Sequence, residues 1–324
     1  MSHAILLRAY GGPEVLTWEA ESVAPPADGE IAVRHTAIGV NFIDTYQRTG
    51  LYPIPLPACL GREAAGVVES VGKRVRGFTA GDRVAYLSGP PGSYREVRNI
   101  AVDRVFKLPA PISDQAAAAM MLKGLTAWYL LRRTYRVKKG ETIVVHAAAG
   151  GVGLILCQWA KHLGARVIGI VGNAEKAELA RKNGCRTTFV LGTDDWVAGV
   201  KTLTHGVGVP VVYDSVGKDT FQQSLDLLQP LGLMVTYGNS SGPVPPMAPL
   251  ELSRRGSLFL TRPTLDHYVP TRAALEGAVR ELFGVVKTRK VEIHVGQTYA
   301  LKDAATAHRD LEGRRTTGST VLIP

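Results

Sequence analysis

The sequence predicts an α/β protein in two parts: a doubly wound parallel sheet mid-chain, and a smaller, partly open β-barrel built from both chain ends. Three observations lead there. From Gly140 to Leu260, β-branched runs alternate with helical segments, several closed by glycine. Parallel strands need such helical crossovers. The first third instead holds short alternating strands punctuated by Gly and Pro, a barrel-like pattern, and the tail returns to that style. Residues 1–122 and 262–324 are assigned to the first domain and 123–261 to the second.

Taken in order, residues 30–38 and 64–71 alternate as strands do, the latter ended by Gly72. Ser113 is an N-cap candidate ahead of an alanine-rich helix to about Met121, and a second helix is expected over 125–134. After Gly140 come strands at 142–146, 166–171, 187–191, 210–214, 232–237 and 257–260. Helices at 151–163, 174–183, 194–204 and 219–228 separate the first five, with Gly164 and Gly184 as stops. The segment 242–249 carries four prolines in eight residues and reads as a loop. A helix over 271–287 and strands at 292–299 and 320–323 complete the tail.

The composition is that of a folded protein, with 45% hydrophobic and 20% charged residues. No stretch approaches the roughly 18 to 20 apolar residues of a bilayer span. The apolar stretch near Met1 is too short for a signal peptide, so a soluble, cytoplasmic protein is expected. Cys59, Cys157 and Cys185 are scattered and form no CxxC pair, which argues against a disulfide framework or a cysteine zinc cage. They read as reduced, buried thiols. The net charge of +10 includes Lys123, Arg132, Arg133, Arg136, Lys138 and Lys139, with no acid between Asp114 and Glu141. This is read as a solvated face near a site for a polyanionic cofactor, not as a nucleic-acid patch.

The segment Ala147-Ala148-Ala149-Gly150-Gly151-Val152-Gly153 follows a strand and opens a helix. It matches the dinucleotide fingerprint G-x-G-x-x-G with alanine at the first glycine. Glycines there let the backbone approach a pyrophosphate, and the helix aims its first amides at that charge. NAD sites place Asp or Glu at the end of the next strand. Here that strand ends Ile170-Val171-Gly172-Asn173, followed by Ala174-Glu175-Lys176. With no acid at the tip and Lys176 able to meet a 2′-phosphate, NADPH is expected over NADH.

Several motifs in order then resemble the quinone oxidoreductase (zeta-crystallin-like) family, the zinc-free branch of the medium-chain dehydrogenase/reductase superfamily. They are Asn41-Phe42-Ile43-Asp44-Thr45-Tyr46, Gly50-Leu51-Tyr52-Pro53, 147–153, Tyr213-Asp214-Ser215-Val216-Gly217 and Tyr237-Gly238-Asn239-Ser240-Ser241-Gly242. The resemblance implies a GroES-like domain and a Rossmann domain. It implies no bound metal: a zinc-ligand cysteine is missing from 39–44, and Gly61-Arg62-Glu63 stands where zinc relatives have Gly-His-Glu. Asn41, Tyr46 and Tyr52 are the implied residues of the reaction cleft. Implied cofactor contacts are Asn41, Tyr46, Lys123 and Thr126; Gly150, Gly151 and Val152; and Gly172, Asn173 and Lys176. Ser215, Tyr237, Asn239, Ser240, Arg262 and Gly318 complete the set. Leu191-Gly192 lacks the tyrosine and arginine that relatives often place near the adenine ribose.

Without zinc, the expected chemistry is NADPH-dependent reduction of an electrophile that already accepts hydride, a quinone or similar conjugated carbonyl. Tyr46 or Tyr52 is placed to stabilise the resulting oxyanion. Asp44 reads as a turn carboxylate and His146 as a core histidine. The alternatives are an enone/2-alkenal reductase and, from another class, RNA binding as a side activity. A homodimer joined through an edge strand near 257–260 is expected.

Overall fold

The structure, a computed structural model, describes residues 1–87 and 89–324. The chain divides into two compact units, Met1–Lys123 with Ile293–Pro324, and Gly124–Glu292. Residues 262–292, grouped with the tail from sequence, fall in the second unit. The cause is packing. The helix Arg272–Lys287 buries Leu275, Ala278, Val279, Leu282 and Phe283. Leu282 sits so close to Gly124 that a Cβ there would lie 2.5 Å from its side chain. Tyr268 stacks on Tyr129 at 4.7 Å between ring centroids.

In the first unit, a sheet of seven strands among the described residues is built around Glu30–Val40. Its first half pairs with Val97–Ala101, and its last three residues pair antiparallel with the tail strand Ser319–Ile323. The other side pairs with Glu63–Val71. The smaller sheet places Ser2–Leu7 between Leu16–Glu21 and Ala58–Cys59. Ile5, Leu7, Ile31, Ile38, Leu60, Val84 and Leu322 fill the core between them. Two short helices were not foreseen: Phe42–Arg48, directly after the central strand, and Ala304–Glu312.

In the second unit, six strands among the described residues form a parallel sheet. Counted from Thr142–His146 along the chain, their order is 3-2-1-4-5-6, the doubly wound arrangement of dinucleotide-binding sheets. The strands are Thr142–His146, Arg166–Val171, Cys185–Val190, Val209–Asp214, Leu228–Thr236 and Phe259–Thr261. The first, second and fourth are buried almost throughout, as parallel strands covered on both faces must be. The 242–249 segment is a loop.

Two helical expectations change. The segment 114–134 is one helix, Asp114–Tyr129, which widens into a π-helical turn at Leu130–Thr134. Gly124 does not break it, because its missing side chain makes room for Leu282. The helix after the fourth strand shrinks to Phe221–Leu225.

Candidate active site

The strand order reverses direction between Thr142–His146 and Val209–Asp214, and ligands of such sheets bind at that point beyond the carboxyl ends. Most of the predicted cofactor residues of the second unit gather on this edge. Gly150, Gly151 and Val152 follow the first strand, Gly172, Asn173 and Lys176 the second, and Ser215 the fourth. Tyr237, Asn239 and Ser240 follow the fifth and Arg262 the sixth. Thr126 lies apart in sequence, buried on the helix Asp114–Tyr129.

The turn after the first strand is built for close approach. Gly150 is extended at φ −82° and caps the helix Gly151–His162 without a side chain. The first intrahelical bond runs from Leu154 N to Gly150 O at 2.9 Å, so the preceding amides have no helical acceptor. A Cβ on Gly153 would lie 2.2 Å from Ala147 O, so only glycine fits. The left-handed residue of the turn is Ala147, at φ +50°. That is why alanine is tolerated at 148: the strain falls one residue earlier. A Cβ on Gly172 would meet nothing within 4 Å. A turn bare of side chains, feeding a helix N-terminus at the switch point, fits a pyrophosphate.

At the second strand, Asn173 spends its side-chain oxygen on capping the helix Ala174–Lys182, accepting from Lys176 N at 2.8 Å. The turns after the fourth and fifth strands are laced together. Tyr237 N donates to Asp214 O at 2.8 Å and Ser240 N to Ser215 O at 3.2 Å. A Cβ on Gly238 would lie 2.4 Å from Ser215 O. Arg262 Nη1 donates to Gly238 O at 3.0 Å. With its amide turned to suit both neighbours, Asn239 donates to Gly238 O at 2.8 Å and accepts from Arg262 Nη2 at 3.3 Å. Arg262 thus braces this loop. Burial raises the pKa of the Tyr237 phenol, against a smaller lowering by a bond with Ser215.

Beneath the edge, Asp214 is fully buried and takes four donors. They are Val216 N at 2.7 Å, Gly217 N at 3.1 Å, Thr220 Oγ1 at 2.7 Å and Ser224 Oγ at 3.3 Å. Ser224 Oγ also meets His146 Nε2 at 2.9 Å, which ties the first strand to the fourth. Burial lowers the pKa of His146. It is a hydrogen-bonded core histidine, as read from sequence.

In the first unit the predicted residues cluster around the start of the helix Phe42–Arg48. Asn41 is its N-cap, and Asp44 Oδ2 reaches back to accept Asn41 N at 2.8 Å. Asn41 Nδ2 donates to Glu63 Oε1 at 2.9 Å. Glu63 also takes Lys123 Nζ at 2.8 Å and Leu122 N at 2.6 Å. The Lys123 charge is therefore engaged inside its own unit. Tyr46 and Tyr52 meet edge to face at 5.3 Å between centroids, and Tyr52 N donates to Tyr46 O at 3.0 Å. Gly318 precedes Ser319–Ile323, whose register sets Thr320 opposite Val40, the residue before Asn41. Gly318 has φ +55°, and a Cβ there would lie 2.5 Å from His294 O.

Sequence reasoning did not assign a part in this cluster to Glu63, to Tyr94, whose hydroxyl donates to Asp44 Oδ2 at 2.9 Å, or to His308, whose Nε2 lies 3.0 Å from that hydroxyl. Glu63 had a signal in Gly61-Arg62-Glu63; the other two had none. Among the described residues no group of three or more His, Cys, Asp or Glu could hold a metal ion.

Known proteins match this arrangement along the whole chain. Residues 27–110 match the alcohol dehydrogenase GroES-like domain, and residues 151–284 match the zinc-binding dehydrogenase family. The quinone oxidoreductase of Pseudomonas aeruginosa is 52% identical, with all of both chains covered. A 2-haloacrylate reductase from a Burkholderia species is 46% identical over 100% of this chain and 99% of its own. The crystal structure of Escherichia coli quinone oxidoreductase complexed with NADPH superposes with a TM-score of 0.97 at 51% identity, covering 99% of this chain and 100% of that one. A GroES-like unit and a 3-2-1-4-5-6 nucleotide sheet, with such likeness from end to end, place the chain in the quinone oxidoreductase family of the medium-chain dehydrogenase/reductase superfamily.

Proposed function

We propose that the protein reduces quinones with NADPH. The observation that carries this reading is the glycine-lined carboxyl edge of the parallel sheet, on which the cofactor residues converge without an acid at the second strand's tip. When bound, the reduced nicotinamide supplies hydride. Gly150, Gly151 and Val152 approach the pyrophosphate, with Gly172 leaving the surface beside it open. Lys176 faces the 2′-phosphate, and Asn173 holds the turn from which Lys176 starts. In the second unit Thr126, Ser215, Tyr237, Asn239, Ser240 and the brace Arg262 shape the nicotinamide side; in the first, Lys123 and Gly318 are the residues assigned to the cofactor. Asn41, Tyr46 and Tyr52 line the reaction cleft. A hydroxyl of Tyr46 or Tyr52 hydrogen-bonds the oxyanion that develops on the reduced quinone, which takes its proton from water.

The test is loss of reduced-nicotinamide absorbance with 1,4-benzoquinone, 9,10-phenanthrenequinone and a simple enone side by side, with NADH as control. Turnover of the quinones with NADPH, and little with NADH or the enone, supports the reading. Turnover of the enone alone sinks it in favour of a conjugated-alkene reductase, the second reading, which the similarity to a 2-haloacrylate reductase supports. Protein that binds NADPH yet turns over none of them retains the cofactor assignment and loses the substrate.

We further place the protein in the cytoplasm as a homodimer. Among the described residues no helix is long and apolar enough to cross a membrane. The edge strand Phe259–Thr261 exposes 58% of Phe259 and 40% of Leu260, an unpaired apolar edge of the kind a twofold partner covers. Sedimentation at micromolar concentration showing only monomer overturns the dimer.

A further inference from the structure

Beneath the helix Phe42–Arg48 runs a line of buried polar groups that the proposed reduction does not use. Arg48 is 2% exposed; Asp44, Tyr94 and His308 are completely buried. Arg48 Nη1 lies 3.2 Å from His308 Nδ1, and Tyr94 Oη lies 3.0 Å from His308 Nε2 and 2.9 Å from Asp44 Oδ2. The guanidinium is anchored by Glu312 at 2.8 and 2.7 Å and donates to Gly11 O at 3.0 Å.

The proton positions follow from the donor inventory. Arginine only donates, so His308 Nδ1 accepts from Arg48 and Nε2 carries the hydrogen. Nε2–H then donates to Tyr94 Oη, which frees the phenol proton for Asp44 Oδ2. Burial, then the charge of Arg48, holds the His308 pKa down at about 3, in keeping with a neutral ring. Every bond therefore points one way, from Arg48 to Asp44. The end of the line is the oxygen that also accepts Asn41 N.

Resting on the reading of Asn41 and Tyr46 as cleft residues, we propose that Tyr94 and His308 are positioning residues of the reduction site. With Arg48 they form a one-way chain of donors that holds Asp44 as a carboxylate and so fixes the turn presenting Asn41 and Tyr46. The chain links three elements distant in sequence: the helix Phe42–Arg48, the segment around Tyr94, and the tail helix Ala304–Glu312.

The other charged groups facing Asp44 are Lys123, which favours the carboxylate, and Glu63, which opposes it. They are held together as an ion pair at 2.8 Å, so their combined field is small. The donors from Tyr94 and Asn41 remain the main groups opposing desolvation, and burial still raises the Asp44 pKa to about 6. A hydrogen bond to a charged group stabilises it enough to move its pKa by about one unit.

The test pairs a direct titration with kinetics. Aspartate labelled with carbon-13 at the carboxyl gives the Asp44 resonance by NMR, assigned by its absence in Asp44→Asn. The pH profile of kcat/KM for quinone at saturating NADPH is recorded beside it. The expected result is a midpoint and an acid limb that coincide near 6 in the unaltered protein, and that both rise by about one pH unit in Tyr94→Phe. His308→Gln, which can still accept from Arg48 and donate to Tyr94, keeps them in place; His308→Leu moves them as Tyr94→Phe does. An unchanged far-ultraviolet circular dichroism spectrum shows that each variant is folded. An acid limb that stays put in Tyr94→Phe, or one that persists in Asp44→Asn, overturns the proposal. If the unaltered protein reduces no quinone, the reductase reading fails and a role in reduction fails with it, while the NMR midpoints still report whether the chain acts on Asp44.

Discussion

Each unit buries one aspartate completely, and the two are treated in opposite ways. Asp214, under the nucleotide edge, receives four donors within its own neighbourhood of strand end and short helix. Asp44, beneath the helix Phe42–Arg48, receives Asn41 N and the Tyr94 hydroxyl on one oxygen, while Oδ1 has no hydrogen-bond partner among the described residues. A buried carboxylate is stable when its lone pairs are filled and costly when they are not. Asp214 is therefore part of the frame. Asp44 is held where its proton can come and go, with a pKa raised to about 6, chiefly by burial.

Removing each carboxylate separates the two roles. Asp214→Ala takes the acceptor from the buried amides of Val216 and Gly217, at about 1–3 kcal/mol for each, while the Thr220 and Ser224 hydroxyls fall back on Gly217 O and Thr220 O. The loss is on the order of 4 kcal/mol, a large share of the stability of a marginal domain. Urea unfolding read by circular dichroism checks it, and a loss under about 1 kcal/mol would remove Asp214 from the frame.

Asp44→Asn acts in the opposite direction. Its amide oxygen can keep the two donors that Oδ2 accepts. Because the folded-state pKa lies above the unfolded value of 3.8, folding favours the protonated acid. That stability is complete below pH 3.8 and is lost as pH rises through about 6. At pH 7.5 to 8 (about two units above the raised pKa) the variant is expected to be more stable by up to about 3 kcal/mol, with the gain fading towards pH 4. Activity falls while the melting temperature rises. Melting curves at pH 4, 6 and 8 check it, and a gain that is flat with pH contradicts the assigned titration.

The same contrast decides what was legible in the sequence. The nucleotide unit is written locally. Its strands and helices alternate with short period, and every predicted residue except Thr126 follows a strand that hydropathy alone delimits, so one edge collects nearly all of them. The first unit is written across distance. Its strand Glu30–Val40 takes the tail as a partner, and Arg48 meets Glu312 across 264 residues of chain. No periodicity announces such pairs. The helix Phe42–Arg48 has seven residues, too short to show a face, and it contains Ile43 and Thr45, whose branched side chains favour strands. Tyr46 and Tyr52 came from the family resemblance, and only the structure shows that their rings touch. Gly124 can be read from sequence either as a helix stop or as room for another helix, and Leu282, far away in sequence, decides between the two.

Two substitutions on the nucleotide edge sharpen the comparison, because both should change binding and spare the Asp44 titration. Gly153→Val puts a branched side chain where even a Cβ would lie 2.2 Å from Ala147 O. The turn must shift, and NADPH is expected to bind at least about 100-fold more weakly, some 2.7 kcal/mol. Quenching of reduced-nicotinamide fluorescence measures it.

Lys176→Ala is gentler. The residue lies half-buried near the start of the helix Ala174–Lys182, and its backbone amide, which Asn173 caps, survives the change. What disappears is a positive charge opposite the expected 2′-phosphate. A partly exposed contact of this kind is weak in water, so the predicted loss is about tenfold in NADPH affinity, or roughly 1.4 kcal/mol, with NADH binding unchanged. Raising the salt concentration should shrink the difference between the two proteins, since the lost interaction is screened. Leu191-Gly192 adds no charge nearby that could substitute. Equal losses for NADPH and NADH would mean that Lys176 supports the turn instead of reading the phosphate, and preference for NADPH would then have to come from the missing acid at the strand tip alone.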